Sequence, residues 1–201
     1  RAAFDEAHRA GKPTTAHAHP PHAIRAAIEA GVDCIEHGAR LDREIAAFMT
    51  SRGIPLVPTV SQTWINAERG LALGRPQWLV DRARASYAQR MQTLRITVEE
   101  GVKIAVGTDG GDMFQEMTLL HQEGGLSPMQ VIQAATRTGA EILCQQSDLG
   151  TIETGKLADM VVLNADPLAD INNTRAIKLV IKDGVIYDPQ TLAAATGKWP
   201  L

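Results

Sequence analysis

The feature that most constrains the fold is a regular alternation of short apolar segments and helical patterns in the first half of the chain. Three apolar segments begin at residues 13, 32 and 54, and a helical pattern that ends at a glycine follows each of the first two. Connections this short predict parallel strands joined by right-handed β-helix-β crossovers, because parallel strands need a crossover over one face of the sheet. We therefore expect an α/β fold.

Four strands are predicted, at residues 13–18, 32–37, 54–59 and 102–108. The connection between the third and fourth strands is the longest, with an irregular segment after residue 60 and then a long helix over residues 76–100. Long insertions at the carboxyl end of a strand are often binding loops. Gln62 and Trp64 in this segment are therefore candidates for a substrate wall, with ordinary loop packing as the alternative. Further helices are predicted over residues 113–122 and 127–143.

The sequence pattern changes at about residue 148, where short β-rich segments replace the alternation. Strands are predicted at residues 158–163 and 177–181, and the Asp183-Gly184 pair is typical of a tight hairpin turn. We therefore divide the chain into a unit over residues 1–147 and a small β domain over residues 148–201. So short a domain buries little apolar surface, so we expect it to pack beside other strands.

Composition and charge exclude several classes of protein. The 201 residues include 20 Lys and Arg against 23 Asp and Glu, and neither sign forms a long run, so nucleic acid and anionic membranes are not expected partners. No apolar run approaches the roughly 20 residues that span a bilayer. The two cysteines, Cys34 and Cys144, are expected to be small core residues. A reducing cytoplasm is the simplest setting for such a chain.

Candidate catalytic residues lie at the carboxyl ends of three predicted strands. His17 lies near the end of the first strand, His37 ends the second, and Asp109 follows the fourth. This edge of a parallel sheet is where barrel and doubly wound enzymes hold their reacting groups. Imidazole nitrogens and carboxylate oxygens suit Zn²⁺ and related divalent ions. Each residue alone could be a hydrogen-bonded histidine or a turn aspartate, but their joint placement predicts a metal site.

Several segments carry a pattern that extends over most of the chain. They are TAHAH at 15–19, AIRAAIEAGVDCIEHG at 23–38, VGTDGG at 106–111, GGLSPMQVIQAATRTGAEIL at 124–143 and GTIETGKLADMVVLNADPL at 150–168. Together they resemble the metal-dependent amidohydrolase superfamily, in particular the imidazolonepropionase-like branch with its Xaa-Pro, Xaa-Lys and Xaa-Arg dipeptidases. The resemblance implies the C-terminal half of a (β/α)8 TIM-type barrel, strands 5 to 8, with part of a small β-sandwich domain.

The resemblance also implies a role for each candidate residue. His17 and His37 would be ligands of a divalent metal centre of one or two ions, with Zn²⁺ the expected metal. Asp109 would be a further ligand and the catalytic residue that accepts a proton from the attacking water. His19 is the alternative to His17 as the ligand on strand 5, since both residues face the same side of a strand; we favour His17. The expected substrate-binding residues are then His19, Gln62 and Trp64.

The implied activity is hydrolysis of an amide or peptide-like C–N bond, by a dipeptidase or an N-acyl amino acid hydrolase. The alternatives are a cyclic-amide hydrolase of the imidazolonepropionase type and a non-catalytic half-barrel that serves as an assembly module. The superfamily's His-X-His pair on strand 1 and its carbamylated Lys or Glu on strand 4 have no counterpart in this sequence. We therefore expect a fragment that is inactive without the missing half of the barrel. Its open sheet edges predict association, including homo-oligomers.

Overall fold

The parallel sheet at the centre of the fold has three strands, joined by helices as the alternating pattern predicts. The structure, a computed structural model, describes residues 1–196. The strands are β1 (Thr15–Ala18), β2 (Cys34–His37) and β3 (Leu56–Val57), all parallel and in the order β1-β2-β3. The helices around them are α1 (Ala2–Arg9), α2 (Pro21–Glu29) and α3 (Arg43–Arg52). The expected α/β fold is thus confirmed.

The fourth predicted strand, at residues 102–108, is wrong as a full strand. Only Ile104 forms a parallel bridge, to Leu56 of β3. The N–H of Val106 instead donates to the carbonyl oxygen of Ala134 at 3.1 Å. The segment nevertheless runs beside β3, so Asp109 still follows it at the carboxyl edge.

The segment after β3 is a helix and not the irregular loop that the sequence predicted. Helix α4 (Val60–Glu68) begins directly after Thr59, and its first two N–H groups are held by a carboxylate from a distant part of the chain. The predicted long helix follows as α5 (Gln77–Glu99). The two helices pack against each other beside the sheet, so the long connection is a helical layer.

The predicted helix over residues 127–143 is broken in two. The helices after α5 are α6 (Met113–Gln122), α7 (Pro128–Ala135) and α8 (Arg137–Ile142). Thr136 lies between the last two with φ −126° and ψ −82°, a conformation that a helix cannot continue through. Ser127 starts α7 with a capping box to Gln130, which fixes the predicted start.

The last part of the chain forms a separate antiparallel sheet. Its strands are β4 (Met160–Leu163), β5 (Ile177–Lys182) and β6 (Val185–Tyr187), in the order β4-β5-β6, with a 3₁₀ helix (Ile171–Arg175) before β5 and helix α9 (Pro189–Thr196) at the end. Asp183 (φ 51°) and Gly184 (φ 78°) form the turn between β5 and β6. Two successive positive φ values are the signature of a type I′ turn, so the hairpin prediction is confirmed. Residues 197–201 of the predicted β domain lie outside the described residues.

The apolar core lies between the parallel sheet and its helices. Its fully buried side chains come from every layer and include Ile24, Ile35, Met49, Leu56, Leu94 and Leu120. Cys34 is in the core as expected, and burial raises the pKa of its thiol to about 12. The prediction for Cys144 is wrong: it is exposed, in a left-handed conformation just past α8. No helix within residues 1–196 is long and apolar enough to cross a membrane.

Candidate functional site

Two neighbouring strands bring three histidine side chains together at their carboxyl ends. The His17 ring centroid lies 4.3 Å from that of His37 and 4.6 Å from that of His19. The His19 and His37 centroids are 5.2 Å apart. The register explains this proximity, because Ala18 pairs with His37 across the parallel ladder. The geometry brings both His17 and His19 beside His37, so the choice between them as a ligand stays a prediction.

The backbone at this edge has an unusual conformation in three places. His37 (φ 73°), Thr59 (φ 50°) and Asp109 (φ 48°) are left-handed, and each ends or directly follows an extended segment. For a residue other than glycine this conformation costs on the order of 1 kcal/mol, and such residues cluster at functional sites. The chain therefore turns sharply at the end of each extended segment, and His37, Thr59 and Asp109 lie along one rim, the carboxyl edge of the sheet.

Burial and mutual proximity keep two of the histidines neutral. Burial, followed by the nearby His17 and His37, lowers the pKa of His19 to about 4. Burial and then His17 also lower the pKa of His37, against an opposing effect of Asp109. Neutral imidazoles have a free nitrogen lone pair, which is the form that binds metals. The Nδ1 atom of His19 is buried without a hydrogen-bond partner among the described residues.

Asp109 lies on an exposed, tightly packed turn next to these histidines. Two residues later, the N–H of Gly111 donates to the carbonyl oxygen of Thr108 at 2.8 Å. A Cβ atom at Gly111 would lie 2.4 Å from the Oγ of Ser61 at the start of α4, so only glycine allows this approach. The Asp109 turn is thereby held against the first turn of α4.

Glu116 on α6 belongs to the site and was missed by the sequence analysis. Its carboxylate is fully buried and accepts the N–H of Val60 at 2.9 Å and the N–H of Ser61 at 2.6 Å. Burial outweighs these hydrogen bonds and raises the pKa of Glu116 to about 6. A signal for it exists, since this charged residue falls within the apolar face formed by Met113, Met117 and Leu120 at helical spacing.

Thr59 and Arg90 were also missed. The Oγ1 of Thr59 lies 2.6 Å from the Nδ1 of His37, a hydrogen bond within the core. Arg90 on α5 lines a small cavity of about 10 Å³ together with His37. Both Glu116 and Asp109 interact with the Arg90 guanidinium through its charge, although no carboxylate of the described residues forms an ion pair with it. Arg90 therefore brings positive charge next to the histidines.

The two predicted substrate residues of α4 are half-buried. Trp64 packs against the main apolar core, in agreement with the packing alternative. The backbone N of Gln62 lies close to the Asp109 turn, 2.9 Å from where a Cβ of Gly111 would be. Contact of either side chain with a substrate stays a prediction.

The donor chemistry of this rim fits a divalent metal, but the ligand set is incomplete. In residues 1–196 no three His, Cys, Asp or Glu side chains converge as a finished set of ligands. The His17 and His37 rings are nevertheless adjacent, the lowered pKa values of His19 and His37 favour their neutral forms, and His19 Nδ1 is unpartnered. Closed or catalytic zinc sites use three or four such donors. His17, His37 and Asp109 could therefore contribute to a metal site that other ligands complete.

Fold and rim together define a class of α/β protein in which ionisable side chains stand at the carboxyl edge of a parallel sheet. Within that class the match to a known family is extensive, since the Amidohydrolase family profile matches residues 1–187. The chain belongs to this family.

Individual relatives agree with the family assignment. Ochratoxinase of Aspergillus niger is 32% identical over 191 residues, which cover 91% of this chain and 39% of the relative. The crystal structure of a Xaa-Pro dipeptidase with bound methionine superposes with a TM-score of 0.83 at 34% identity, over 92% of this chain and 47% of the dipeptidase. A prolidase complexed with N-methylphosphonate-L-proline gives a TM-score of 0.80 at 30% identity, over 92% and 48%. The chain thus spans about half the length of these relatives, or less.

Proposed function

We propose that the protein carrying these residues hydrolyses the C–N bond of a peptide-like substrate, as a dipeptidase or an N-acyl amino acid hydrolase. The observation that carries this proposal is the group of three adjacent histidine rings at the carboxyl ends of β1 and β2, with centroids 4.3 to 5.2 Å apart. The likeness to a Xaa-Pro dipeptidase supports a peptide-like substrate.

We further propose that this chain supplies strands 5 to 8 of a (β/α)8 barrel and part of its small β-sandwich domain. In support, β1 is an edge strand of the parallel sheet, and the relatives are about twice as long. A closed barrel leaves no such edge. The other half of the barrel would add the remaining ligands, and the same open edge would allow homo-oligomers to form.

The metal chemistry follows from the donors. His17, His37 and Asp109 would hold a divalent ion, Zn²⁺ in this proposal, at one or two positions. When bound, such an ion would polarise a substrate carbonyl and lower the pKa of a bound water to about 7. The lowered pKa values of His19 and His37 keep their imidazoles unprotonated at neutral pH, so that no proton competes for the donor nitrogens.

Proton transfer in this proposal is the task of Asp109. Its carboxylate is exposed at the rim and would accept the proton of the attacking water and pass it to the leaving amine. Peptides and N-acyl amino acids end in a carboxylate, which the positive charge of Arg90 would attract. His19, Gln62 and Trp64 would contact the remainder of the substrate.

The test uses the complete protein that contains this chain, freed of metal by a chelator and reloaded with Zn²⁺. Dipeptides with C-terminal Pro, Lys or Arg, N-acyl amino acids and cyclic amides are compared as substrates. We expect hydrolysis of the first two groups that depends on added metal. Preferential turnover of cyclic amides would replace the proposal with the imidazolonepropionase-type activity. Absence of any hydrolysis, with metal bound, would favour the non-catalytic assembly module.

A further inference from the structure

We propose that Thr59 and Glu116 act together as a positioning pair for the His37 imidazole. Glu116 caps the start of helix α4 in place of Thr59, and the Thr59 hydroxyl is thereby free to hydrogen-bond with His37 Nδ1. The inference rests on the proposed function only in that His37 is taken as a metal ligand. Neither residue would touch the substrate.

The start of α4 differs from an ordinary helix start. A threonine at the N-cap position normally accepts a hydrogen bond from the second or third helical N–H with its own side chain, in an extended backbone conformation. Thr59 occupies the N-cap position of α4 in a left-handed conformation, and its side chain makes no capping hydrogen bond. The hydroxyl instead lies 2.6 Å from His37 Nδ1.

The carboxylate of Glu116 replaces the missing cap. It accepts one hydrogen bond on each oxygen, from the N–H of Val60 and from the N–H of Ser61. These are the first two residues of α4, whose N–H groups have no partner within the helix. A buried carboxylate is an expensive cap, and a threonine in an extended conformation would cap a helix without it. The arrangement is therefore explained best by the hydrogen bond between the Thr59 hydroxyl and His37.

The consequence for His37 is a defined orientation of its ring. With the Thr59 hydroxyl as the acceptor of the Nδ1–H, the Nε2 lone pair is free, the relation that metal-binding histidines have with their outer partners. Because His37 is buried, few other groups could hold its ring. Ser61 also packs against Gly111, so the same cap steadies the turn that carries Asp109.

Substitutions at Thr59 test the pair directly. In the complete protein, Thr59→Val removes the hydroxyl and keeps the shape, whereas Thr59→Ser keeps the hydroxyl. The matched control is Thr97→Val, which removes an equally buried hydroxyl that donates only to the carbonyl oxygen of Thr93. The readout is the ¹⁵N NMR spectrum of the His37 ring, assigned by its loss in His37→Gln, together with Zn²⁺ affinity by competition with a chelator.

We expect Thr59→Val to change the His37 ring from one tautomer to a mixture and to weaken Zn²⁺ binding by about 10- to 100-fold, as loss of an outer partner does. Thr59→Ser should restore both properties, and Thr97→Val should change neither. A His37 spectrum in Thr59→Val that matches Thr97→Val would overturn the inference.

Glu116→Gln provides the second test, because it keeps the side-chain length and replaces one acceptor oxygen by an amide donor. We expect the same change in the His37 spectrum, smaller than in Thr59→Val. If Glu116→Gln changes only the free energy of unfolding and leaves the His37 spectrum unchanged, Glu116 is a helix cap without a role in positioning His37. The NMR readout needs no turnover, so it decides the inference even if the proposed hydrolysis is not found.

Discussion

Histidine and aspartate side chains lie at both ends of the parallel sheet, but their hydrogen bonding differs. At the amino end, Asp33 accepts hydrogen bonds from the N–H and the hydroxyl of Thr14, both at 2.7 Å, and lies 2.8 Å from His8. At the carboxyl end, His19 Nδ1 is buried without a partner among the described residues. The Asp33 carboxylate at the amino end has hydrogen-bond partners within the chain, whereas a buried imidazole nitrogen at the carboxyl end has none among the described residues.

This difference in hydrogen bonding is more informative about function than the volumes of the cavities at the two ends. A cleft of about 410 Å³ opens at the amino end, lined by His8, Asp33 and Cys144, while the cavity beside His37 has only about 10 Å³. Volume alone would select the amino end. Buried polar groups without partners are rare in folded proteins, so the unpartnered His19 Nδ1 supports the carboxyl end as the proposed site.

The largest expected effect is on catalysis and separates the two ends most sharply. In the complete protein, Asp109→Asn should lower kcat/KM by about 10³-fold, because a general base contributes on this scale. The matched change at the amino end is Asp33→Asn, which should leave kcat/KM unchanged. Steady-state kinetics on the best substrate measure both. Full activity in Asp109→Asn would show that Asp109 is not the proton acceptor.

The next effect is on stability and concerns the cap of α4. Glu116→Ala leaves two buried N–H groups without an acceptor, and each such group costs 1 to 3 kcal/mol, so we expect a loss of about 3 kcal/mol in the free energy of unfolding. Glu68→Ala, at an exposed position of the same helix, should change it little. Urea unfolding monitored by circular dichroism provides the comparison. Equal values for the two variants would show that the carboxylate does not stabilise the helix start.

Acid should lower the stability of the fold through His19 at the carboxyl end of the sheet. Folding lowers the pKa of His19 from 6.5 to about 4, so protonation favours the unfolded chain, and stability is lost as the pH falls through this range. The raised pKa of Glu116, about 6, acts in the opposite direction over its part of the range. We therefore compare how the free energy of unfolding changes with pH in two variants of the chain, with and without His19. His19→Gln should reduce the loss of stability between about pH 6.5 and about pH 4. An unchanged loss would mean that His19 is not held neutral.

The smallest effect is expected from the amino end. Burial opposes the hydrogen bonds of Thr14 and His8, but these lower the pKa of Asp33 below its ordinary 3.8. Its stabilising effect is therefore present above that pH and lost only in stronger acid. Asp33→Asn should cost about 1 kcal/mol near neutral pH, since the group is partly exposed. It should not change the acid response in the range where His19 acts; a change there would contradict the contrast between the ends.

Local patterns sufficed for much of the fold and for part of the site. Apolar periodicity predicts β1, β2 and the helices behind them, and the position of His17 and His37 near strand ends follows from the same local order. The register then brings the rings together, because parallel neighbours align their carboxyl ends.

Several of the failures depend on partners distant in sequence. Helix α4 was missed because its cap, Glu116, lies 56 residues after Val60. The fourth strand is short because Val106 bonds to Ala134, a helix residue that no local pattern links to it. The hydroxyl of Thr59 has a role only through His37, 22 residues earlier. Contacts of this kind have at most an indirect signature in a single sequence, such as the charge of Glu116 within an apolar helix face.

The contrast between the two cysteines has a practical consequence. The sequence has only Cys34 and Cys144, and the first is sealed in the core with a thiol that hardly ionises at neutral pH. A maleimide dye added to the folded chain would therefore attach at Cys144 and not at Cys34, in the cleft at the amino end. Fluorescence from that single position would report on folding and assembly, and the histidine rim at the opposite end would remain untouched by the label.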